Sequence, residues 1–106
     1  MYATLTEQGL RLHDGVPTLE QMQEVVDGYI ETAWRMPSSR HGYTIDVYCN
    51  DMGLCDNLPL RYIRVADGQP IAGNLIAVAG NIEDGESAPL ADADIPILLG
   101  AFIPNT

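Results

Sequence analysis

The chain has 106 residues, is 46% hydrophobic and 19% charged, and carries fifteen acidic against five basic residues for a formal net charge of −10. That length and mix fit one soluble globular domain, residues 1–106, and exclude a disordered segment. No apolar run approaches the roughly 20 residues that span a bilayer, and residues 1–7 lack a basic region followed by an apolar block, so a membrane role and a secretory leader are not expected.

In chain order, residues 2–6 alternate and predict a strand, and residues 10–13 a returning one after the turn at Glu7, Gln8 and Gly9. Thr18 is a predicted N-cap, with Gln21 completing a capping box. From there the apolar residues Leu19, Met22, Val25, Val26, Tyr29, Ile30 and Ala33 fall three and four apart. They predict one amphipathic helix over residues 18–34, ended by Pro37. Gly28 is the odd residue within it. A glycine inside a helix costs about 1 kcal/mol against alanine, and it marks a place where another backbone comes close. Trp34, at the predicted helix end, is read as closing the core, with Arg35 and Met36 beside it as a second candidate surface.

Residues 43–49 are the strongest predicted strand, with Tyr43, Ile45, Val47 and Cys49 on one face and Thr44, Asp46 and Tyr48 on the other. A turn follows at residues 50–53. Residues 58–60 are extended, and residues 61–65 are either a strand or a helical turn. Residues 71–79 are mostly apolar and predict a central strand, with Gly73 and Asn74 read as a bulge. Residues 81–87 form an acidic loop. Asp92 and Asp94 ahead of Pro96 predict a short C-terminal helix, with a buried strand as the alternative. The expected fold is α+β: a small, mainly antiparallel sheet packed against one long amphipathic helix, plus the short C-terminal helix.

The basic residues are all arginines: Arg11, Arg35, Arg40, Arg61 and Arg64. So large an acidic excess makes direct nucleic-acid binding through phosphates unexpected, because such contact needs clustered Lys and Arg. Cys49 and Cys55 fit neither a redox pair nor a zinc motif and are expected to be free thiols. His13 and His41 are isolated. No catalytic constellation, metal site or cofactor site is identifiable, so an enzyme is not expected.

The candidate partner-binding residues are Glu20, Glu24, Asp27 and Glu31, at spacings of four, three and four. On a helix they form one acidic stripe with no basic residue among them, unlike ordinary solvated faces that mix Glu with Lys. Their axial separation averages about 5.5 Å from a rise of 1.5 Å per residue. A DNA strand presents a charge every ~3.4 Å, so the stripe alone is too sparse to copy one. It needs a second acidic element beside it, from Asp92 and Asp94 or from the loop carrying Glu83 to Glu86.

Three pieces carry a family likeness. They are Thr18-Leu19-Glu20-Gln21-Met22-Gln23-Glu24-Val25-Val26-Asp27-Gly28-Tyr29-Ile30-Glu31, then Tyr48-Cys49-Asn50-Asp51-Met52-Gly53-Leu54, then Ile71-Ala72-Gly73-Asn74, with Leu58-Pro59 between the last two. With these the chain resembles the domain of unknown function family numbered 3846, over about residues 1–103. It departs from the pattern at Met52, where an acidic residue is usual, and at Arg61, where Asn is usual. The resemblance implies a small accessory protein of phage or mobile-element origin and supplies no catalytic residues.

Two functions are therefore expected ahead of an enzyme. The first is an acidic accessory protein that binds a host protein with a basic surface, its sharpest form being counter-defence inhibition by nucleic-acid mimicry. Charge reversal at Glu24 and Asp27 tests it. The alternative is a protein that sequesters a small nucleotide-like metabolite, using arginines with Tyr43 and Tyr48. The expected location is cytoplasmic, which for a phage-encoded chain is the host cytoplasm.

Overall fold

The computed structural model describes residues 1–106. The N-terminal alternation folds as predicted: β1 (Tyr2–Thr6) and β2 (Gly9–His13) pair antiparallel, Tyr2 opposite His13 and Thr6 opposite Gly9. Thr18 caps α1 (Leu19–Val26), and both halves of the capping box with Gln21 are made.

The helix then stops, eight residues long rather than seventeen. Asp27 takes the left-handed conformation (φ 60°, ψ 47°). Its N–H donates to the Glu24 carbonyl, and the Gly28 N–H to that of Gln23, which is the Schellman closure. Residues 30–37 form an edge strand, β3 (Ile30–Pro37). The long amphipathic helix expected over residues 18–34 is therefore corrected to a short helix, a turn and a strand. The strand was already favoured by composition, since Tyr29, Ile30, Thr32 and Trp34 are aromatic or β-branched.

β3 pairs antiparallel with β4 (Tyr43–Asn50), with a bulge between Thr32 and Trp34. After a turn-rich stretch come β5 (Leu60–Arg64), β6 (Gln69–Ala72) and β7 (Leu75–Asn81). Residues 61–65, open between strand and turn, are mostly strand. Gly73 and Asn74 are not a bulge inside one strand; they are the corner between two strands that belong to different sheets. β8 (Ser87–Ala88), α2 (Asp94–Ala101) and β9 (Phe102–Pro104) complete the chain. The C-terminal helix is thus present, with a short strand directly after it.

The larger sheet has the order β2-β1-β7-β4-β3, with β8 also on β7; the smaller one is β6-β5-β9. Every pairing is antiparallel. β7 lies at the centre of the larger sheet and is buried along most of its length, as its apolar run requires.

The two faces of the larger sheet have different covers. Ala3, Leu5, Ile45, Val47, Cys49, Leu75, Ala77 and Ala79 face a core completed by Tyr62 and Ile71 of the smaller sheet, Leu98 of α2 and Phe102 of β9. The Tyr62 hydroxyl donates to the Thr6 carbonyl at 2.6 Å and pins the smaller sheet to the end of β1. On the other face α1 lays Met22 and Val26 over Ile76 and Val78, with Ile30 and Tyr48 beside them. Burying those two helix side chains contributes about 2 kcal/mol each. Two turns of helix cover only part of that face.

Candidate functional site

The C-terminal end of α1 is where separate stretches of sequence meet. A helix leaves its last carbonyls without intrahelical donors. Here two asparagines supply them. Asn50, at the end of β4, donates from Nδ2 to the carbonyls of Val26 (3.0 Å) and Asp27 (2.9 Å). Its Oδ1 accepts from the Met52 N–H at 2.7 Å, which starts the following turn. Asn74, at the corner between β6 and β7, donates to the Val25 carbonyl at 3.0 Å. Asp51 N–H donates to the Tyr29 carbonyl, tying the turn to the start of β3.

Beside this junction a cleft of about 330 Å³ opens between the ends of the two sheets. Glu31 and Cys49, directly opposite each other on β3 and β4, form one wall. Residues 50–55 form the second, and Gln69, Pro70, Ile71 and Ala72 of β6 with Arg64 of β5 form the third. Met52 and Leu54 are exposed on the turn, 49% and 66% accessible, and give the cleft an apolar lip.

Its electrostatics follow from how the charges are used. Arg64 is the one basic residue lining the cleft. It is fully engaged: Nε and Nη2 donate to the two carboxylate oxygens of Asp67 (3.0 and 2.7 Å), and Nη1 to the Ala33 carbonyl. The guanidinium holds the Asp67 carboxyl down to about 2. Glu31 and Asp51 have no basic partner, so the cleft carries negative charge.

Cys49 does not supply a nucleophile. Burial, and then the charge of Glu31, push its thiol up to about 11. The thiol is protonated at neutral pH, with Sγ 3.8 Å from Glu31 Oε1. Cys55, also on the cleft, is an exposed free thiol.

The four residues of the predicted acidic stripe do not share one surface. Glu20 and Glu24 stand on α1, and Glu24 borders a shallow groove with Thr4, His13 and Asn74. Asp27 is the left-handed residue after the helix. Glu31 is on β3 and faces the opposite side of the sheet from α1, into the cleft. The periodicity that placed them together assumed a helix that ends before the third of them. Asp51 is the carboxylate brought to Glu31 instead, and the sequence had placed it only in a turn.

The rest of the face that α1 leaves open carries a polar row. Asp46 of β4 is buried and accepts from Arg35 Nε and Thr44 Oγ1, both at 2.8 Å. Sequence reasoning put Asp46 on this face but missed its partner; the signal available was a hairpin that sets Arg35 opposite Asp46. His13 stacks on Tyr2, ring centroids 4.7 Å apart, and shares a hydrogen bond with Thr4 Oγ1 at 2.9 Å. His41 lies elsewhere, lining a hollow with Tyr43, Asn81 and Glu83. No group of three His, Cys, Asp or Glu side chains is placed to hold a metal ion, and no helix is long and apolar enough to cross a membrane.

By fold this is an α+β protein of two antiparallel sheets, and by site one with an acidic cleft beside an asparagine-capped helix end. The chain belongs to the family described as Domain of unknown function (DUF3846), whose profile matches residues 3–102. Neither a curated protein nor a solved structure matches it. The three pieces of sequence that carry the family likeness are the ones that meet at the end of α1: Gly28 with Tyr29, Asn50 with Asp51, and Asn74.

Proposed function

We propose that this protein is a binding module that holds a cationic segment of a partner protein in the cleft between its sheets. The observation that carries the reading is the pairing pattern: Glu31 and Asp51 lack a basic partner, while Arg64 is spent on Asp67 and the Ala33 carbonyl. An incoming Arg or Lys side chain supplies the missing countercharge, and its apolar neighbours rest on Met52 and Leu54. With a net charge of −10, the protein as a whole steers cationic partners toward itself.

In this reading the protein is an acidic accessory protein of phage or mobile-element type, and its partner is a host protein. The contact is concentrated at the cleft, with Glu20 and Glu24 of α1 contributing only long-range attraction. Mimicry of a nucleic-acid strand by one helix face is no longer the preferred form, because the four carboxylates are divided between the two sides of a sheet.

The experiment is capture from host lysate at low and high salt, with wild-type protein, Glu31→Arg and Asp51→Arg in parallel. A partner held at low salt, released at high salt and lost from both cleft variants supports the reading. A partner retained by both cleft variants and lost on charge reversal at Glu20 and Glu24 places binding on the helix and refutes it. Salt-insensitive capture refutes the electrostatic basis.

A further inference from the structure

The polar row beside α1 contains a carboxylate oxygen that the fold does not use. The Asp46 side chain is only 9% exposed. Its Oδ1 accepts from Arg35 Nε and Thr44 Oγ1, but Oδ2 receives no hydrogen bond from the protein. That oxygen is not sealed inside the protein, so it stays open to a donor from outside. Room for the carboxylate is made by Gly80 on the neighbouring strand, where a Cβ would collide with the Asp46 carboxylate and stand 2.9 Å from Thr44 Oγ1.

A hollow of about 510 Å³ lies over these groups, lined by Arg35, Thr44, Asp46, Gly80, Asn81, Ile82 and Gly85. Arg35 donates from Nε to Asp46, its guanidinium also lies near Tyr48, and the side chain is 56% exposed. The hollow therefore offers one acceptor, Asp46 Oδ2, next to donors on Arg35. Its far wall is a fixed turn. Asn81 N–H donates to the Glu86 carbonyl, Gly85 N–H to the Asn81 carbonyl, and Glu83 N–H to Asn81 Oδ1. Ile82, 66% exposed, adds an apolar surface at the edge.

We propose that this hollow binds a small planar molecule through a lactam or imide edge, an N–H beside a C=O, as presented by uracil, hypoxanthine or guanine. The N–H donates to Asp46 Oδ2, the C=O accepts from an Arg35 Nη, and the ring plane lies against Ile82. The ligand is neutral, a base or nucleoside. The turn that closes the hollow carries Glu83, Asp84 and Glu86, and their charges repel a phosphate. This site is separate from the acidic cleft and does not depend on the reading given for it.

The test is titration of the full chain with uridine, followed by NMR of the backbone amides. Uridine shifts the amides of Gly80, Asn81 and Gly85. N3-methyluridine, which lacks the N–H, does not, and uridine monophosphate binds more weakly than uridine. Arg35→Gln, with its fold checked by its amide spectrum because the change also removes the countercharge of Asp46, weakens uridine by about fivefold or more, the loss expected for one hydrogen bond. The proposal is overturned if neither uridine nor inosine moves those amides at millimolar concentration. It is equally overturned if N3-methyluridine binds as well as uridine, or if the shifts cluster in the acidic cleft.

Discussion

Asn50 Nδ2 stands 2.7 Å from where a Cβ on Gly28 would sit. The same nitrogen donates to the carbonyls of Val26 and Asp27. The missing side chain at Gly28 therefore lets the end of β4 reach in and close the helix. Sequence reasoning expected another backbone near Gly28; the neighbour is a side chain amide. Gly28→Ala should cost about 2 kcal/mol, by displacing Asn50 and stranding buried carbonyls. Asn50→Ala should cost a similar amount, and the double variant much less than the sum, because both changes remove one shared arrangement. Urea unfolding of the three variants checks this; full additivity would mean that the two residues act independently.

Asp94 is fully buried without a cation. Its Oδ1 accepts from Ser38 Oγ, Ser39 N–H and Ser39 Oγ, and its Oδ2 from the Ala91 N–H. Burial opposes its ionisation, but the donors of Ser39, Ala91 and Ser38 outweigh burial and hold the carboxyl below its ordinary value. A depressed folded value means that its contribution is present above the unfolded carboxylate range and is lost as pH falls through the folded value. Asp94→Asn should lower stability by about 1–3 kcal/mol near neutral pH and flatten the acid limb of a stability–pH curve. Denaturation midpoints from pH 7 downward, at about one-unit steps across the carboxylate range, measure both effects.

The two cysteines should separate chemically. Cys49 is buried and its thiol is pushed up to about 11, whereas Cys55 is exposed. Iodoacetamide near neutral pH should modify Cys55 alone in the native protein and both residues after unfolding. Mass spectrometry of the quenched samples counts the adducts. Equal rates at the two positions would contradict the burial of Cys49.

Asp27 places a negative charge and a non-glycine side chain at the C-terminal end of α1 in the left-handed region. Both features oppose the helix: the dipole disfavours an anion there, and asparagine accepts this conformation more readily. Asp27→Asn should therefore stabilise the protein by about 0.5 kcal/mol. The same variant should leave capture of a partner by the cleft nearly unchanged. A destabilised Asp27→Asn protein would show that its carboxylate has a role the geometry does not display.

The N-terminal hairpin, the start of α1, strand β4 and the short C-terminal helix were legible because each is fixed locally. Thr18 and Gln21 form their capping box within one turn of chain, and alternation in residues 43–49 sets Ile45, Val47 and Cys49 inward without outside help. The end of α1 was not legible in the same way. Apolar spacing of three and four runs on through Tyr29, Ile30 and Ala33, and a short stretch can satisfy both helix and strand periods.

What the sequence by itself determined is the α+β class, the antiparallel strands, the acidic balance and the membership in a family whose likeness spans nearly the whole chain. Tertiary structure decided where the helix stops and which charges share a surface. Helix-end carbonyls must find donors, and here the donors are Asn50 and Asn74, which are 23 and 47 residues beyond Asp27 in the chain. Once they stop the helix, Glu31 turns to the other side of the sheet and joins Asp51, while Glu20 and Glu24 stay behind on α1. Charge spacing along a chain becomes a surface only after contacts of that range have set the direction of each segment.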